Sequence, residues 1–235
     1  LVQRVDGQGN ILASFFAYDE AFLGGVRLSM GDVTGDGIDE IITGAGKGGG
    51  PQVRVFDLQG NVKGQFFAFD EQERNGIFVT TGDVNADGID EIFVSSGQGG
   101  TGQVRFFNLH GDMKGAFFPI GHTVEAVRVA LGNLDDDPQD EIVSSLWSQG
   151  DGMLFVHDHD GRYMRSFSSF DGQTDGVMAT VADIDADGID EILLSRSSGY
   201  VTEVHVFTYK GVKTRTFFGF PISYLGGVQI ASGDM

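Results

Sequence analysis

The stretch Asp32-Val-Thr-Gly-Asp-Gly-Ile-Asp-Glu40 decides how this chain of 235 residues is organised, because closely related stretches follow it three times. These copies begin at Asp83, Asn133 and Asp183, and Gly233-Asp234 begins a fifth. The spacings between successive starts are 51, 50, 50 and 51 residues. A pair of aromatic residues, first seen as Phe15-Phe16, returns at nearly the same period. Two markers that share one period indicate a repeat protein of the propeller or solenoid type.

Each repeat contains four short segments typical of β-strands, and no window has a sustained helical period. Strand a precedes the acidic loop, as in residues 25–30 and 126–131, and strand b follows it, as in residues 41–43. Strand c alternates apolar and polar residues, as in 53–56, and strand d carries the Phe pair. The sequence therefore predicts an all-β fold, a β-propeller of four-stranded antiparallel blades with about 50 residues per repeat. A parallel β-helix has much shorter rungs and is the weaker alternative.

The repeat predicts a single β-propeller domain over residues 1–235, with five repeat units. Its expected divisions are a partial unit 1–24, repeats at about 25–75, 76–125, 126–175 and 176–225, and the start of a further unit at 226–235. Because the sequence opens and closes within a repeat, we expect it to be an excerpt of a longer protein.

The chain is strongly acidic, with a formal net charge of −19. Eighteen of its 34 Asp and Glu residues lie in the four acidic loops, so the charge is mostly local. This balance argues against nucleic acid or an anionic membrane as partner, because both require a basic face. Cysteine is absent, which excludes disulfides and thiol chemistry. No apolar run approaches the length of a membrane span, so direct membrane insertion is not expected.

Oxygen-bearing side chains occupy positions one, three, five and nine of every loop, and Gly occupies position six in three of them. A hard cation needs about six to eight converging oxygens and a backbone that turns tightly around it. The loops therefore predict calcium sites, and the absence of Glu at position twelve excludes an EF-hand. The candidate side-chain ligands are Asp32, Thr34, Asp36 and Glu40; Asp83, Asn85, Asp87 and Glu91; Asn133, Asp135, Asp137 and Glu141; and Asp183, Asp185, Asp187 and Glu191.

Together with its flanking strands, the run from Gly31 to Gly46 resembles the FG-GAP repeat of integrin α-chain propellers and the related bacterial VCBS-type repeats. The likeness extends over essentially the whole chain. It implies a propeller, usually outside the cell, with calcium held between strands a and b of several blades. It also implies that position seven supplies a backbone carbonyl ligand, which here would come from Ile38, Ile89, Gln139 and Ile189.

Two features depart from that family pattern. Position nine is Glu where the family more often has Asp, so either the longer side chain folds back or the preceding Asp shares its role. That Asp is residue 39, 90, 140 or 190 in the four loops. The third loop begins with Asn133 and has Pro138 where the tight turn requires Gly. We expect calcium at three loops and leave the third loop, residues 133–141, open.

Two other motifs are interpreted as turns. Residues 44–49 match a dinucleotide-binding fingerprint by letter, but Pro51 and a strand follow them in place of a helix. Residues 157–160, His-Asp-His-Asp, align with residues 56–59 and are predicted to form a variant c–d turn. No nucleophile motif is present, and calcium accounts for the paired carboxylates, so we expect no enzymatic activity.

In an antiparallel blade the b–c and d–a connections lie on the edge opposite the acidic loops. The repeats diverge most there, at Lys47, Arg74, His122, Trp147, Asp175, Arg196 and Tyr200. The predicted function is a calcium-binding propeller, extracellular or at the cell surface, that serves adhesion, ligand recognition or surface assembly. Its expected partner is a protein or glycan ligand, or neighbouring copies of itself. The alternatives are a non-catalytic repeat region of a larger secreted enzyme or toxin, and a structural spacer in a surface layer or filament.

Overall fold

The structure, a computed structural model, describes residues 1–147, 152–170, 176–196 and 199–232. In these ranges the regular elements are 18 β-strands. They are β1 Val2–Val5, β2 Ile11–Phe15, β3 Val26–Gly31, β4 Glu40–Ala45, β5 Gln52–Phe56, β6 Val62–Phe67, β7 Ile77–Gly82, β8 Glu91–Ser96, β9 Val104–Phe107, β10 Met113–Phe117, β11 Val127–Gly132, β12 Glu141–Leu146, β13 Met153–His157, β14 Tyr163–Ser168, β15 Val177–Ala182, β16 Glu191–Arg196, β17 Glu203–Phe207 and β18 Lys213–Phe218. No helix in the described part of the chain is long and apolar enough to cross a membrane.

Sixteen of these strands form four antiparallel sheets in which strands that follow each other in sequence lie side by side. The sheets contain β3 to β6, β7 to β10, β11 to β14 and β15 to β18, and β1 pairs with β2 in a separate hairpin. Four-stranded meanders of this kind are propeller blades, which confirms the predicted fold class. The four complete sheets correspond to the four repeats predicted over residues 25–225, and the β1–β2 hairpin lies in the partial unit 1–24. Residues 226–232 form no strand.

The chain forms two compact units. The first contains Leu1–Asp83 and Asp87–Phe118, and the second contains Val84–Ala86 and Pro119–Met235. Strands β1 to β10 therefore belong to the first unit and β11 to β18 to the second. The single domain over residues 1–235 and its repeat boundaries stay predictions.

Strand b is the most buried strand of the first three complete sheets. All six residues of β4 and all six of β8 are buried, as their continuous apolar sequences predict. In the first unit, Ile42 and Ile92 belong to one apolar cluster that joins successive sheets. In the second unit, Val143 and Ile192 do the same. The core therefore lies between sheets, which holds each strand b and its acidic loop in place.

The two members of the Phe pair at the end of strand d differ in burial. Phe66 contacts Phe107 of the next sheet with ring centroids 4.9 Å apart, and Phe15 contacts Phe56 at 4.7 Å. The second members, Phe16 and Phe67, are 47% and 44% exposed. Successive residues of a strand point to opposite faces, so in these two pairs only the first residue reaches the adjoining sheet.

Strands c and d are joined by a repeated irregular hairpin. The register shifts at the end of strand c, between Val55 and Phe56, between Val156 and His157, and between Val206 and Phe207. Each irregularity leads into a tight turn at the edge of the sheet that also carries the acidic loop. The c–d turn of a blade therefore lies on the same edge as its a–b loop.

Candidate metal sites

The four acidic loops connect strand a to strand b in every complete sheet. In each loop the residue before position one pairs with the Glu at position nine: Gly31 with Glu40, Gly82 with Glu91, Gly132 with Glu141 and Ala182 with Glu191. This antiparallel pair closes the loop, so side chains separated by eight residues start from neighbouring points of the backbone. The first and last candidate ligands are thereby brought together by the sheet itself.

In the first loop, Asp32 organises the backbone around its own carboxylate. Its Oδ1 accepts the N–H groups of Gly35 at 2.7 Å and Asp36 at 3.2 Å, and its Oδ2 accepts the N–H of Gly37 at 2.7 Å. Burial tends to raise the pKa of Asp32, but these N–H groups outweigh it and lower the pKa. Asp36 in turn accepts the N–H of Ile38 at 2.9 Å. The loop is therefore shaped around an ionised carboxylate.

The side chains at positions one, three and nine of this loop converge. The Thr34 hydroxyl lies 3.4 Å from Asp32 Oδ1 and 3.5 Å from Glu40 Oε1. Glu40 is only 2% exposed, and its Oε2 has no hydrogen-bond partner. Burial raises the pKa of Glu40, and the charges of Asp36 and Asp32 add to the effect. A buried carboxylate with an unsatisfied oxygen beside two others fits a bound cation, which would supply the missing partner and charge.

The fourth loop repeats this arrangement. Asp183 accepts the N–H groups of Asp187 at 3.1 Å and Gly188 at 2.9 Å, and these bonds lower its pKa. Asp183, Asp185 and Glu191 each offer a carboxylate oxygen, and these oxygens lie within 4.8 Å of one another. Burial and the neighbouring carboxylates raise the pKa of Glu191, although its Oε2 accepts the N–H of Ile184 at 3.3 Å. This cluster can hold a metal ion.

The second loop has the same backbone arrangement. Asp83 accepts the N–H groups of Asp87 at 3.2 Å and Gly88 at 2.8 Å, and Asp87 accepts the N–H of Ile89 at 2.9 Å. Glu91 is buried at the end of the loop. Asn85 lies in the short stretch that groups with the second unit, so its role as a ligand stays a prediction. The carbonyl ligands expected at position seven also stay predictions, although Ile38 and Ile89 expose their side chains.

The third loop follows a different backbone path. The other three loops have a positive φ at position four, which is Gly35, Ala86 or Ala186. They also have a positive φ at position six, which is Gly37, Gly88 or Gly188. The third loop has Asp136 and Pro138 there, and neither has a positive φ. Asp135 accepts the N–H of Asp137 at 3.0 Å, and Asp137 accepts that of Gln139 at 3.0 Å. The turn around position one is therefore not formed.

A histidine that the sequence interpretation assigned to a plain turn lies beside this third loop. Asp137, Glu141 and His159 each place one ligand atom within 4.8 Å of the others. The prediction that residues 157–160 are only a variant turn was thus incomplete. The sequence could have indicated this proximity, because the c–d turn and the acidic loop of a blade lie on the same edge of the sheet. Asp135 is not part of this three-residue group.

In the second and fourth loops, the Asp at position eight contacts the preceding sheet. Asp90 donates its N–H to the carbonyl of Asp32 at 2.9 Å, and Asp190 donates to that of Asn133 at 2.7 Å. Their carboxylates lie against the preceding sheet, where a Cβ on Gly31 would clash with Asp90 and a Cβ on Gly132 would clash with Asp190. These residues therefore join successive loops inside each unit.

Ala186 provides a test of the loop geometry, because its φ of +62° is unfavourable for a residue with a Cβ. We expect Ala186→Gly to stabilise the chain by about 0.5–1 kcal/mol, measured by thermal unfolding. Ala179→Gly in the regular strand β15 is the control and should destabilise by a similar amount. A lower melting temperature for Ala186→Gly would contradict this backbone assignment.

The residues expected at the opposite edge differ in accessibility. Lys47, Arg74 and His122 are exposed. Arg196 stacks on the rings of Phe170 and Tyr200 at 4.4 and 4.9 Å and pairs with Glu203 at 3.3 Å, so it supports the blade. Trp147 is half-buried, with the Arg128 guanidinium 4.7 Å from its ring centroid. Asp175 lies outside the described residues.

No protein-family model and no curated protein matches the chain. Several solved structures share the fold. AofleA from Arthrobotrys oligospora has a TM-score of 0.57 and 14% identity, over 86% of this chain and 58% of that one. A protein of unknown function from Bacteroides caccae has a TM-score of 0.55 and 10% identity, over 90% of this chain and 66% of that one. The rhamnogalacturonan lyase YesW has a TM-score of 0.53 and 15% identity, over 88% of this chain and 49% of that one. The chain thus spans less than two thirds of each, and the likeness is one of fold.

Proposed function

We propose that this chain is a calcium-binding propeller segment of the FG-GAP or VCBS kind that acts outside the cell or at its surface. The observation that carries the proposal is the buried carboxylate of Glu40, whose Oε2 has no partner beside Asp32 and Thr34. In the first, second and fourth loops, the side chains at positions one, three, five and nine hold the ion. The carbonyls of Ile38, Ile89 and Ile189 add to them.

Calcium fits these three loops better than other common cations. All the donors are oxygen atoms, which suits calcium or magnesium and disfavours zinc or copper. The donors come from one flexible loop with glycine at position six, and calcium tolerates irregular coordination better than magnesium does. Extracellular calcium is also concentrated enough to fill sites of moderate affinity.

The proposed role of the ion is structural, and recognition takes place at the opposite edge of the blades. Lys47, Arg74 and His122 are exposed there and are the strongest candidates for contact with a partner. A protein, a glycan or a neighbouring copy fits the strongly acidic chain better than nucleic acid does. We propose no catalytic role, since the carboxylates that acid–base chemistry would use are assigned to the ion.

Calcium stoichiometry tests the proposal. We expect isothermal titration of metal-free protein to give three calcium ions per chain, one for each loop of the regular type. Asp36→Asn should remove one of them, because it takes a charge from the first loop and keeps an acceptor for the Ile38 N–H. The exposed Glu20, which lies outside every loop, provides the control Glu20→Gln. Absence of saturable calcium binding would refute the proposal.

A further inference from the structure

The third acidic loop lacks the features that suit the other three loops to calcium. Its first residue, Asn133, is neutral, and Pro138 has no N–H to donate at position six. The oxygen Oδ1 of Asn133 is buried and has no hydrogen-bond partner. In the regular loops the corresponding Asp oxygens accept backbone N–H groups. The third loop therefore retains a free oxygen donor at position one but lacks the charge there and the tight turn.

A histidine stands beside this loop in place of an apolar residue. Position two of the c–d turn is Leu58, Leu109 or Tyr209 in the other complete sheets, and each packs on an apolar cluster. In the third sheet that inward-facing position is His159, whose Nδ1 is buried without a hydrogen-bond partner. The one sheet with an irregular acidic loop is thus also the one with an imidazole at this position.

The turn holds His159 in place through its neighbours. Asp158 accepts the N–H groups of Asp160 at 3.1 Å and Arg162 at 2.8 Å. The Arg162 guanidinium lies 2.7 Å from the Asp160 carboxylate, so both flanking acids are engaged within the turn. His159 itself forms no ion pair with Asp137 or Glu141, although one ligand atom of each lies within 4.8 Å of the others. Three potential ligands therefore converge without bonding to one another.

We propose that Asp137, Glu141 and His159 form a site for a divalent transition metal of the zinc class, with the Asn133 oxygen as a further donor. Zinc accepts imidazole nitrogen and carboxylate oxygen and needs only about four ligands. Calcium prefers six or more oxygens, whereas the group here includes an imidazole and the loop does not turn tightly around position one. Imidazole is a favourable ligand for zinc, copper, nickel and iron, so the histidine selects for this class of ion.

Zinc titration in the presence of saturating calcium tests the proposal with the whole chain. We expect one zinc ion per chain that calcium does not displace. His159→Leu installs the residue that two other sheets have at this position, and it should weaken zinc binding about tenfold or more. His110→Leu is the matched control, since His110 is an exposed histidine in the c–d turn of the second complete sheet. It should bind zinc like the original chain.

Cobalt(II) provides a second readout, because its visible absorption changes when an imidazole nitrogen enters the coordination shell. The cobalt spectrum should be lost in His159→Leu and in Asp137→Asn, and kept in His110→Leu. Zinc binding that is unchanged in His159→Leu, displaced by calcium or not saturable would overturn the proposal. The result is independent of calcium at the other loops, because the two ions are titrated separately.

Discussion

Removing calcium is expected to lower the melting temperature of the chain by about 10 °C. With affinities typical of extracellular modules, millimolar calcium stabilises each regular loop by about 1 kcal/mol. Three such loops contribute about 3 kcal/mol, and for a chain of this size each kcal/mol shifts the melting temperature by about 2–4 °C. The measurement is thermal unfolding followed by circular dichroism, in millimolar calcium and in chelator.

Glu191→Gln distinguishes ion binding from an ordinary structural contact. Glu191 is buried against Asp183 and Asp185, and burial and charge repulsion raise its pKa. In metal-free protein its charge is unfavourable, so the neutral amide should raise the melting temperature by about 3 °C. In calcium the same substitution removes a charged ligand and should lower it by a similar amount. The effect of one substitution therefore changes sign with the ion.

Glu20→Gln is the control, because Glu20 is exposed and outside the loops, and it should alter neither melting curve. Equal melting temperatures in calcium and in chelator would contradict the structural role of the ion. A loss of stability in Glu191→Gln that is the same in both conditions would show that the side chain acts only through packing.

The sequence predicts the blade well because the relevant physics is local. A loop of fixed spacing followed by a continuous apolar strand is enough to define β4, β8, β12 and β16 and the hairpins that precede them. The position of ligands within one loop is also local, since the pair of Gly31 and Glu40 closes nine residues into one site.

Features that depend on two separate segments could not be predicted in this way. The contact of Asp90 with the Asp32 carbonyl joins residues from different sheets, and nothing in their own repeat encodes it. His159 belongs to a turn that is separated from the third loop by strands β12 and β13. Aligning it with a turn residue of another repeat therefore did not reveal that it lies beside the loop. The exposure of the second Phe of a pair, such as Phe67, also depends on which face of the strand meets the next sheet.

The stability of metal-free protein is expected to fall as pH rises, and Glu141 is the main single cause in the second unit. Glu141 is 1% exposed, and burial raises its pKa from 4.5 to about 7; the N–H of Leu134 opposes this shift, and the charges of Asp135, Asp137 and Asp140 add to it. Below pH 4.5 the carboxyl is protonated in the folded and unfolded chain alike. Between 4.5 and about 7 only the folded chain keeps the proton, so the free energy of unfolding declines with pH.

Above about pH 7 the folded chain carries the full penalty of the buried charge, about 3 kcal/mol. We expect metal-free protein, prepared by passage over a chelating resin, to melt about 6 °C or more lower at about pH 8 than at about pH 5. Glu141→Gln cannot ionise, so it should lose most of this difference, whereas Glu20→Gln should keep it. A bound cation should reverse the trend, because an ion stabilises the charged carboxylate that burial disfavours. If Glu141→Gln and the original chain shared one pH profile without metal, the buried carboxylate would not be a source of strain that an ion relieves.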